Sequence, residues 1–477
     1  MKPYQNELRD MWDWESPVRC SGHRILEPIP AEIYLMIFDY LRARSDRYGL
    51  GKTAPKRFND LRNLSLVCRY FCAEILPWLF ESIIFHPISH KDAPGKDQMG
   101  YVSFCKSIER DENFARSLAL RVKHCTMRDW VDVPKTIAQA FLNVHINVLP
   151  HMANLTTVLL SRMRLVPPLL THIRRLSHLE SLTIDCCDFE EIFPKHVQKL
   201  ALKCKLKSFR LYHRNKEGIH RLDDSIAEEF IPLVMHLSEL GTDNWRLIRT
   251  LISCDTPLSN LETLKIIFVE DLKPLCRYLY QLPALKSLTM DNIQSRRSHT
   301  PYLISVPLMA NLRHLTCPPH LISSLTGLHK LASLSFATCQ SDDILSALIR
   351  VTPTPSPWRD MSQLVELCLP YAFAVSILEH PNPARTEIGF AQLRTLIILL
   401  DECFLFRDWL HKDPARDSIT VSNEKTELYE FFQAMVQELY LPNVRSFSFR
   451  GLVKDWVWDK EETTDQWKLV EEDDDVY

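Results

Sequence analysis

The sequence predicts an α/β chain in which a small helical module precedes a long, irregular solenoid of parallel strands and helices. After residue 150, a six-residue phrase recurs with aliphatic or aromatic residues at its first, fourth and sixth positions. Before that region, the apolar residues of 25–85 follow helical spacing over two stretches. The chain has 477 residues, more than one hydrophobic core usually supports, so several modules or a repeat array are expected.

The helical module is predicted over residues 25–85. Apolar residues at positions 29, 33, 36, 37, 40 and 41 fall on one helix face, and Pro30 suits the first turn of that helix. A second apolar helical pattern runs over 58–71. A short apolar stretch that ends at Phe85 completes the module.

At these residues the chain resembles the F-box family, the adaptor-binding module of SCF-type (cullin–RING) ubiquitin ligases, and in style the large fungal group of such proteins. The matching motifs are Ile29-Pro30-x-Glu32-Ile33-x3-Ile37-Phe38-x2-Leu41, Leu64-Ser65-Leu66-Val67-Cys68-Arg69-x-Phe71 and Leu79-Phe80-x2-Ile83. The chain departs from the family at Ile29, which replaces Leu, at Phe80, which replaces Trp, and in a basic insertion over 42–57. The resemblance implies a three-helix F-box that docks the SCF adaptor, and through it a cullin. The implied adaptor-binding residues are Ile29, Pro30, Ile33, Ile37, Phe38, Leu41, Leu64, Val67, Cys68 and Phe80.

The recurring phrase has the form L-x-x-L-x-L. Its copies start at Leu155, Leu179, Leu206, Leu261, Leu285, Leu312, Leu331, Leu364, Leu393 and Val444. Several copies start about 24 to 29 residues apart, within or near the leucine-rich-repeat period, so this part of the chain resembles a degenerate leucine-rich-repeat protein. Two intervals between copies, 212–257 and 400–441, are about twice as long as the others. Each is predicted to hold either a degenerate repeat or a helical insertion, and 424–440 has an amphipathic-helix pattern.

Five segments result from these patterns. They are a flexible lead over 1–24, the F-box-like module over 25–85, a linker and helix over 86–117, the solenoid over 118–451 and an acidic tail over 452–477. The first solenoid strand is predicted at 118–122, where apolar residues alternate. Charge runs such as the tail are usually solvated and disordered. The basic insertion 42–57 is either a solvated loop or a contact surface for an acidic partner.

Side chains between the buried repeat positions are predicted to point outward and to form a concave surface that binds a protein. They are Thr183, Asp185, Lys265, Thr289, Asp291, Thr316, Ser335, Ser448 and Arg450. Their mixed charge favours a protein partner, since nucleic-acid recognition calls for a basic stripe. The net charge of −3 likewise implies no general attraction to nucleic acid or to a membrane.

No catalytic constellation, metal site or cofactor is predicted, and the chain is expected not to be an enzyme. The sequence Gly51-Lys52-Thr53 lacks the leading Gly of a phosphate-binding loop, and no C-x-x-C pair occurs. The pairs His86/His90 and His145/His151 lack further metal ligands nearby in sequence. A catalytic site assembled from distant residues stays open as an alternative.

These observations predict a substrate-receptor subunit of an SCF-type E3 ubiquitin ligase that binds an unknown protein substrate. The alternative is a non-catalytic leucine-rich-repeat scaffold whose F-box-like segment caps the array, because terminal repeats need a cap. Residues 1–15 contain no apolar run typical of a signal peptide, and no apolar stretch is long enough to span a bilayer. An intracellular location, cytoplasmic or nuclear, with reduced cysteines is therefore expected.

Overall fold

A computed structural model describes the repeat strands and much of the chain between them. The described residues are 20–21, 24–25, 33, 36–37, 61–67, 69–87, 96–131, 135–189, 192–213, 228–254, 258–293, 311–318, 330–336, 363–371, 374, 392–399, 429–435, 443–450, 455–461 and 466–470. The chain divides into an N-terminal unit, Met1–Cys204, and a C-terminal unit, Lys205–Asp475. Within the described parts, no helix is both long and apolar enough to cross a membrane.

The N-terminal unit contains a parallel sheet with helical connections. Its strands are β1 (Cys20–Ser21), β2 (Arg24–Ile25), β3 (Ser82–Phe85), β4 (His124–Arg128), β5 (Thr157–Ser161) and β6 (Ser181–Asp185). Its helices are α1 (Arg69–Leu79), α2 (Lys96–Glu109), α3 (Asn113–Ala119), α4 (Lys135–Val148), α5 (Pro167–Ile173) and α6 (Pro194–Ala201), with a 3₁₀ turn at Leu149–His151. Strands β3, β4, β5 and β6 pair in parallel and in sequence order, whereas β1 and β2 form an antiparallel pair.

Alternating burial explains why the repeat phrase forms strands in this unit. In β5, Val158 and Leu160 are fully buried while their neighbours are half-buried, and β6 repeats the pattern. Each of β4, β5 and β6 is followed by a non-glycine residue with positive φ: Asp129 (64°), Arg162 (49°) and Cys186 (50°). This left-handed conformation is uncommon for such residues, and it recurs at the same place, directly after the strand, in three successive repeats.

The C-terminal unit continues the same repeat plan. Its strands are β7 (Ser208–Tyr212), β8 (Glu239–Thr242), β9 (Thr263–Val269), β10 (Ser287–Ile293), β11 (His314–Cys317), β12 (Ser333–Phe336), β13 (Glu366–Pro370), β14 (Thr395–Leu399), β15 (Ser446–Arg450), β16 (Asp455–Lys460) and β17 (Trp467–Val470). Its helices are α7 (Ile231–Val234), α8 (Trp245–Ser253) and α9 (Leu272–Leu279). Strands β7 to β15 are parallel, and β15, β16 and β17 are antiparallel.

The prediction of an α/β chain with leucine-rich-repeat-like parallel strands is confirmed, because the second half of every predicted copy of the phrase lies on a strand. The gap at 212–257 holds one further repeat strand, β8, which pairs with both β7 and β9. The gap at 400–441 adds no strand between its neighbours, since β14 and β15 pair directly with Thr395 opposite Ser446. Residues 429–435 within that gap are helical, in agreement with the amphipathic pattern.

The start of the sheet differs from the prediction. Residues 118–122, expected as a strand, form the end of α3 and the turn after it, and β3 already pairs with β4 through Ser82 opposite His124. Leu118, Ala119 and Val122 are all buried. Their i, i+1, i+4 spacing is that of a helix face, which explains the error.

The end of the chain also differs. The segment 452–477, expected to be an acidic disordered tail, contains β16 and β17. Trp458 on β16 is 5% exposed, and its ring lies 5.8 Å from Phe447 and 5.9 Å from Phe449. Burial of this indole against the last parallel strand outweighs the polar composition around it. The acidic run 471–475 lies outside the described residues.

Candidate functional site

The first candidate surface consists of exposed apolar side chains from two short segments near the N-terminus, which are together called the N-terminal patch. Its members are Ile33, Met36, Ile37, Leu66 and Val67, and their exposed fractions lie between 46% and 77%. Residues 33, 36 and 37 are helical, and their i, i+3, i+4 spacing places them on one helix face. Three exposed apolar side chains on one helix face are typical of a surface that a partner covers.

A small core supports part of this patch. Leu61 and Ile75 are buried, and Leu64, Phe71 and Trp78 are partly buried against them. The helix predicted over 58–71 is interrupted: residues 61–65 are helical, and a turn at 66–67 precedes α1. In that turn the Val67 amide donates to the Leu64 carbonyl at 3.0 Å. The turn leaves Leu66 and Val67 facing solvent, while Leu64, predicted to bind the adaptor, packs on the core.

Phe80, also predicted to bind the adaptor, faces the repeat array. Its ring centroid lies 5.4 Å from that of Phe104 on α2, and its side chain is half-buried. Strand β3 follows Phe80 directly and belongs to the sheet. Five of the residues expected at the adaptor interface lie outside the described parts of the chain. They are Ile29, Pro30, Phe38, Leu41 and Cys68.

The second candidate surface is the open strand face, formed by strand side chains that alternate with the buried ones. In the N-terminal unit, Thr183 and Asp185 are half-buried on this face, and Asp185 Oδ2 accepts a hydrogen bond from Ser161 Oγ at 2.9 Å. At the strand ends, Asp129 contacts Arg128 at 3.8 Å and Arg162 at 3.5 Å. This part of the face therefore carries both signs of charge.

In the C-terminal unit, strand register aligns most of the predicted substrate-binding residues in one row, one per strand. The predicted residues in that row are Lys265, Thr289, Thr316, Ser335 and Ser448. The side chains in this row are accessible to solvent from β9 to β12. Farther along the row they are buried: Cys368 is 7% exposed and Ile397 is 5% exposed. Ser448 is only 4% exposed, so its predicted role as a surface contact is corrected. Arg450 remains exposed at the end of β15.

The most polar part of this face is the Tyr212 cluster, at the β7 end of the unit. Its members are Arg210, Tyr212, Glu239, Asp243, Lys265 and Asp291. Arg210 Nε donates to Glu239 Oε1 at 2.8 Å, and Lys265 Nζ lies 4.0 Å from Asp291 Oδ2. Both carboxylate oxygens of Asp243 accept the backbone N–H of His213, each at 2.8 Å.

The sequence prediction included Lys265 and Asp291 but missed the rest of the Tyr212 cluster. Glu239 and Asp243 were missed because β8 was not recognised: its phrase, Leu237-x2-Leu240-x-Thr242, carries Thr where an aliphatic residue is expected. Arg210 and Tyr212 lie on the recognised strand β7, and their role depends on contacts with β8. A Cβ at Gly241 on β8 would lie 2.5 Å from the Tyr212 hydroxyl oxygen, so a larger residue there would displace the phenol. The glycine thus allows the phenol to lie across the strand.

Burial dominates the electrostatics of the cluster. It raises the pKa of Tyr212 to about 12, with Arg210 opposing the shift and the nearby carboxylates adding to it. Burial also raises the pKa of Asp291, against the effect of Lys265. The phenol therefore stays protonated near neutral pH and acts as a hydrogen-bonding group. The cluster is equipped for recognition through charge and hydrogen bonds.

A buried thiol–imidazole pair lies apart from these surfaces. Cys105 Sγ is 3.4 Å from His145 Nδ1, and His145 stacks on Phe85 at a centroid distance of 4.3 Å. Burial raises the pKa of Cys105 to about 12 and lowers that of His145 to about 4. At neutral pH the pair is a thiol beside a neutral imidazole, without the thiolate that nucleophilic chemistry requires. The His145/His151 pair does not converge, since His145 is buried and His151 is exposed.

No group of three or more His, Cys, Asp or Glu side chains in the described segments is arranged to hold a metal ion. No protein-family model matches the chain, and no curated protein matches it. Among solved structures, the crystal structure of a TLR13–ssRNA13 complex is similar, with 15% sequence identity and a TM-score of 0.28. The alignment covers 61% of this chain and 41% of the other, so the chain spans about two fifths of that structure. The repeat architecture rests on the strand pairing within this chain.

Proposed function

We propose that the chain is a non-catalytic substrate-receptor subunit, similar to the F-box receptors of SCF-type ubiquitin ligases. The N-terminal patch would bind the adaptor, and through it a cullin. The open strand face would bind the protein to be ubiquitinated. The single observation that carries the proposal is the exposure of Ile33, Met36, Ile37, Leu66 and Val67 within the F-box-like motif.

The physical argument is the balance of apolar surface in this segment. The small core around Leu61 and Ile75 partly buries Leu64, Phe71 and Trp78, whereas Leu66 and Val67 stay in water, as do Ile33, Met36 and Ile37 on their own helix. Burial of a large aliphatic side chain is worth about 1.5–3 kcal/mol. Covering Ile33, Ile37 and Val67 with a partner would therefore supply much of the free energy of a stable interface.

For the substrate face, the support comes from the mixture of groups on the open strands. The Tyr212 cluster offers cations, carboxylates and a phenol, and the row from Lys265 to Ser335 offers hydroxyl groups. Protein interfaces combine such polar groups with aromatic anchors. A nucleic-acid site would instead call for a continuous basic stripe.

The second candidate function is a repeat scaffold in which the F-box-like segment caps the array. The observation that favours it is the packing of Phe80 on Phe104 together with the pairing of β3 with β4. These contacts make the end of the segment part of the repeat core. Capping requires no adaptor, so adaptor binding separates the two candidates.

The deciding experiment is co-purification of the full-length chain with the SCF adaptor. We expect Ile37→Asp and Val67→Asp to abolish co-purification, because each places an unpaired charge in an apolar interface. The matched control is Met235→Asp, which changes an apolar residue that is 38% exposed in the C-terminal unit. Undiminished binding in the patch variants, or no binding by the wild type, would leave the capped scaffold as the better account.

The substrate face is tested once a bound target protein is captured. The double variant Asp185→Lys with Asp291→Lys reverses one charge on the open face of each unit, and we expect it to lose the target. The control, Glu112→Lys with Glu228→Lys, reverses two exposed carboxylates, one at the N-cap of α3 and one on a helical residue of the other unit. Equal capture by both double variants would remove Asp185 and Asp291 from the binding site.

A further inference from the structure

The helical side of the N-terminal unit carries a second exposed patch, here called the basic ledge. It consists of Arg175, Phe193, Lys195, Lys199, Leu202 and Lys203, all of them exposed. None of these residues belongs to the N-terminal patch or to the open strand face. The ledge is therefore independent of the two surfaces proposed above.

The repeat architecture brings the ledge residues to one side of two neighbouring helices. Helices α5 and α6 follow the paired strands β5 and β6 and pack side by side. Arg174 and Leu202 are the residues that end the two helices, so Arg175 and Lys203 occupy equivalent positions one residue farther on. Lys195 and Lys199 are four residues apart and share one face of α6.

Among the described residues, none of Arg175, Lys195, Lys199 and Lys203 forms an ion pair with a carboxylate. Burial lowers the pKa of the neighbouring His196, and the positive charges of Lys195 and Lys199 lower it further. The whole chain has a net charge of −3, so this positive potential is local.

The exposed apolar members distinguish the ledge from an ordinary solvated helix. Phe193 is 59% exposed and Leu202 is 73% exposed, although α6 already buries Val197 and Leu200 in the core. A cation near the C-terminus of a helix stabilises the helix by about 0.3–1 kcal/mol, and this effect explains the positions of Lys199 and Lys203. That effect gives no reason for an exposed Leu202 beside them, whereas contact with a partner does. Phe193 packs locally, because Lys195 Nζ lies 5.7 Å and the His196 ring centroid 5.8 Å from its ring centroid.

We propose that the basic ledge binds an acidic segment of a partner protein that also presents apolar side chains. The four cations complement carboxylates, and Phe193 and Leu202 supply apolar contact at both ends of α6. A phosphate backbone would leave these two side chains without apolar partners. A membrane surface would call for a broad apolar helix face, and that face of α6 is buried against the core.

The test uses the full-length chain and a fluorescein-labelled peptide that alternates Glu or Asp with Leu and Phe, read by fluorescence anisotropy. We expect saturable binding that weakens as salt is added. The variant Arg175→Glu/Lys199→Glu/Lys203→Glu should bind about tenfold more weakly or worse, since three attractive contacts become repulsive. The variant Leu202→Ser should weaken binding about three- to tenfold without any change of charge.

The matched control is Arg249→Glu/Lys273→Glu/Arg277→Glu on α8 and α9, which makes the same change in net charge on exposed helical residues of the other unit. Circular dichroism and Tm confirm that each variant is folded. Wild-type affinity in the control supports the ledge. Equal loss in the control, no binding of the acidic peptide by the wild type, or binding only to phosphatidylserine vesicles or duplex DNA would overturn the proposal.

Discussion

Acid should destabilise the N-terminal unit through the buried imidazole of His145. This side chain is 3% exposed, stacks on Phe85 and lies against Trp130 and the Cys105 thiol. Burial, reinforced by the charge of His86, lowers its pKa from 6.5 to about 4. The unfolded chain therefore binds a proton between these two values that the folded chain does not bind, so stability falls as pH decreases through that window.

The size of the effect follows from the two pKa values. Above pH 6.5 the neutral His145 does not reduce the free energy of unfolding. The free energy of unfolding falls by about 2 kcal/mol at pH 5 and by about 3 kcal/mol below pH 4. The assay is urea unfolding of the full-length chain at pH 7.5 and at pH 5. His145→Phe keeps an aromatic ring between Phe85 and Trp130 but cannot be protonated, so it should lose about 2 kcal/mol less stability than the wild type over this pH range.

The control for this experiment is His151→Phe, which alters an exposed imidazole six residues away and should keep the wild-type pH dependence. Comparing differences between the two pH values cancels any cost of the substitution itself. An identical pH dependence for the wild type and His145→Phe would refute the reasoning, because it would mean that the buried imidazole does not control acid stability.

Two further predictions concern the C-terminal unit. Gly241→Ala places a Cβ 2.5 Å from the Tyr212 hydroxyl oxygen. The resulting overpacking should cost about 1–1.5 kcal/mol of folding free energy. Ala is also about 0.5–1 kcal/mol more favourable than Gly in a strand, which offsets part of that cost. A double-mutant cycle with Tyr212→Phe should therefore show a coupling of about 1 kcal/mol, whereas additive effects would contradict the close approach. Trp458→Ala should destabilise the unit by about 3–5 kcal/mol in chemical denaturation, because Trp458 is 5% exposed and packs on Phe447. The exposed Lys468→Ala serves as its control and should change stability by less than about 0.5 kcal/mol.

The repeat strands were predictable because their signal is local. In a copy such as Leu155-x2-Val158-x-Leu160, six consecutive residues contain the alternation of apolar and other residues that predicts which side chains are buried. The same locality explains the errors. Leu118 to Val122 alternates over too short a stretch to distinguish a strand from a helix end, and the structure shows the helix end. Trp458 lies in a polar context that hides a strand stabilised by Phe447 and Phe449.

The candidate surfaces were only partly predictable. Lys265 and Asp291 could be assigned to the outward face from their positions in the phrase, and the structure brings them within 4.0 Å. Glu239 and Asp243 come from β8 and the residue after it, and the degenerate repeat motif of β8 gave little signal. Arg210 and Tyr212 lie on the recognised strand β7, but only the pairing of β7 with β8 brings the cluster together. Ser448 has the same position in its phrase as Thr316, yet it is buried because the open face is covered beyond β12.

From the sequence alone one obtains the positions of most strands, the faces they bury and the helical spacing of the N-terminal segment, because periodicity is a property of neighbouring residues along the chain. Only the tertiary structure decided which outward side chains remain exposed and which converge. Exposure of Val67, burial of Ser448 and the approach of Tyr212 to Gly241 depend on residues many positions away, brought near by strand register and packing. Burial and electrostatic coupling act through space, and no window of sequence contains that information.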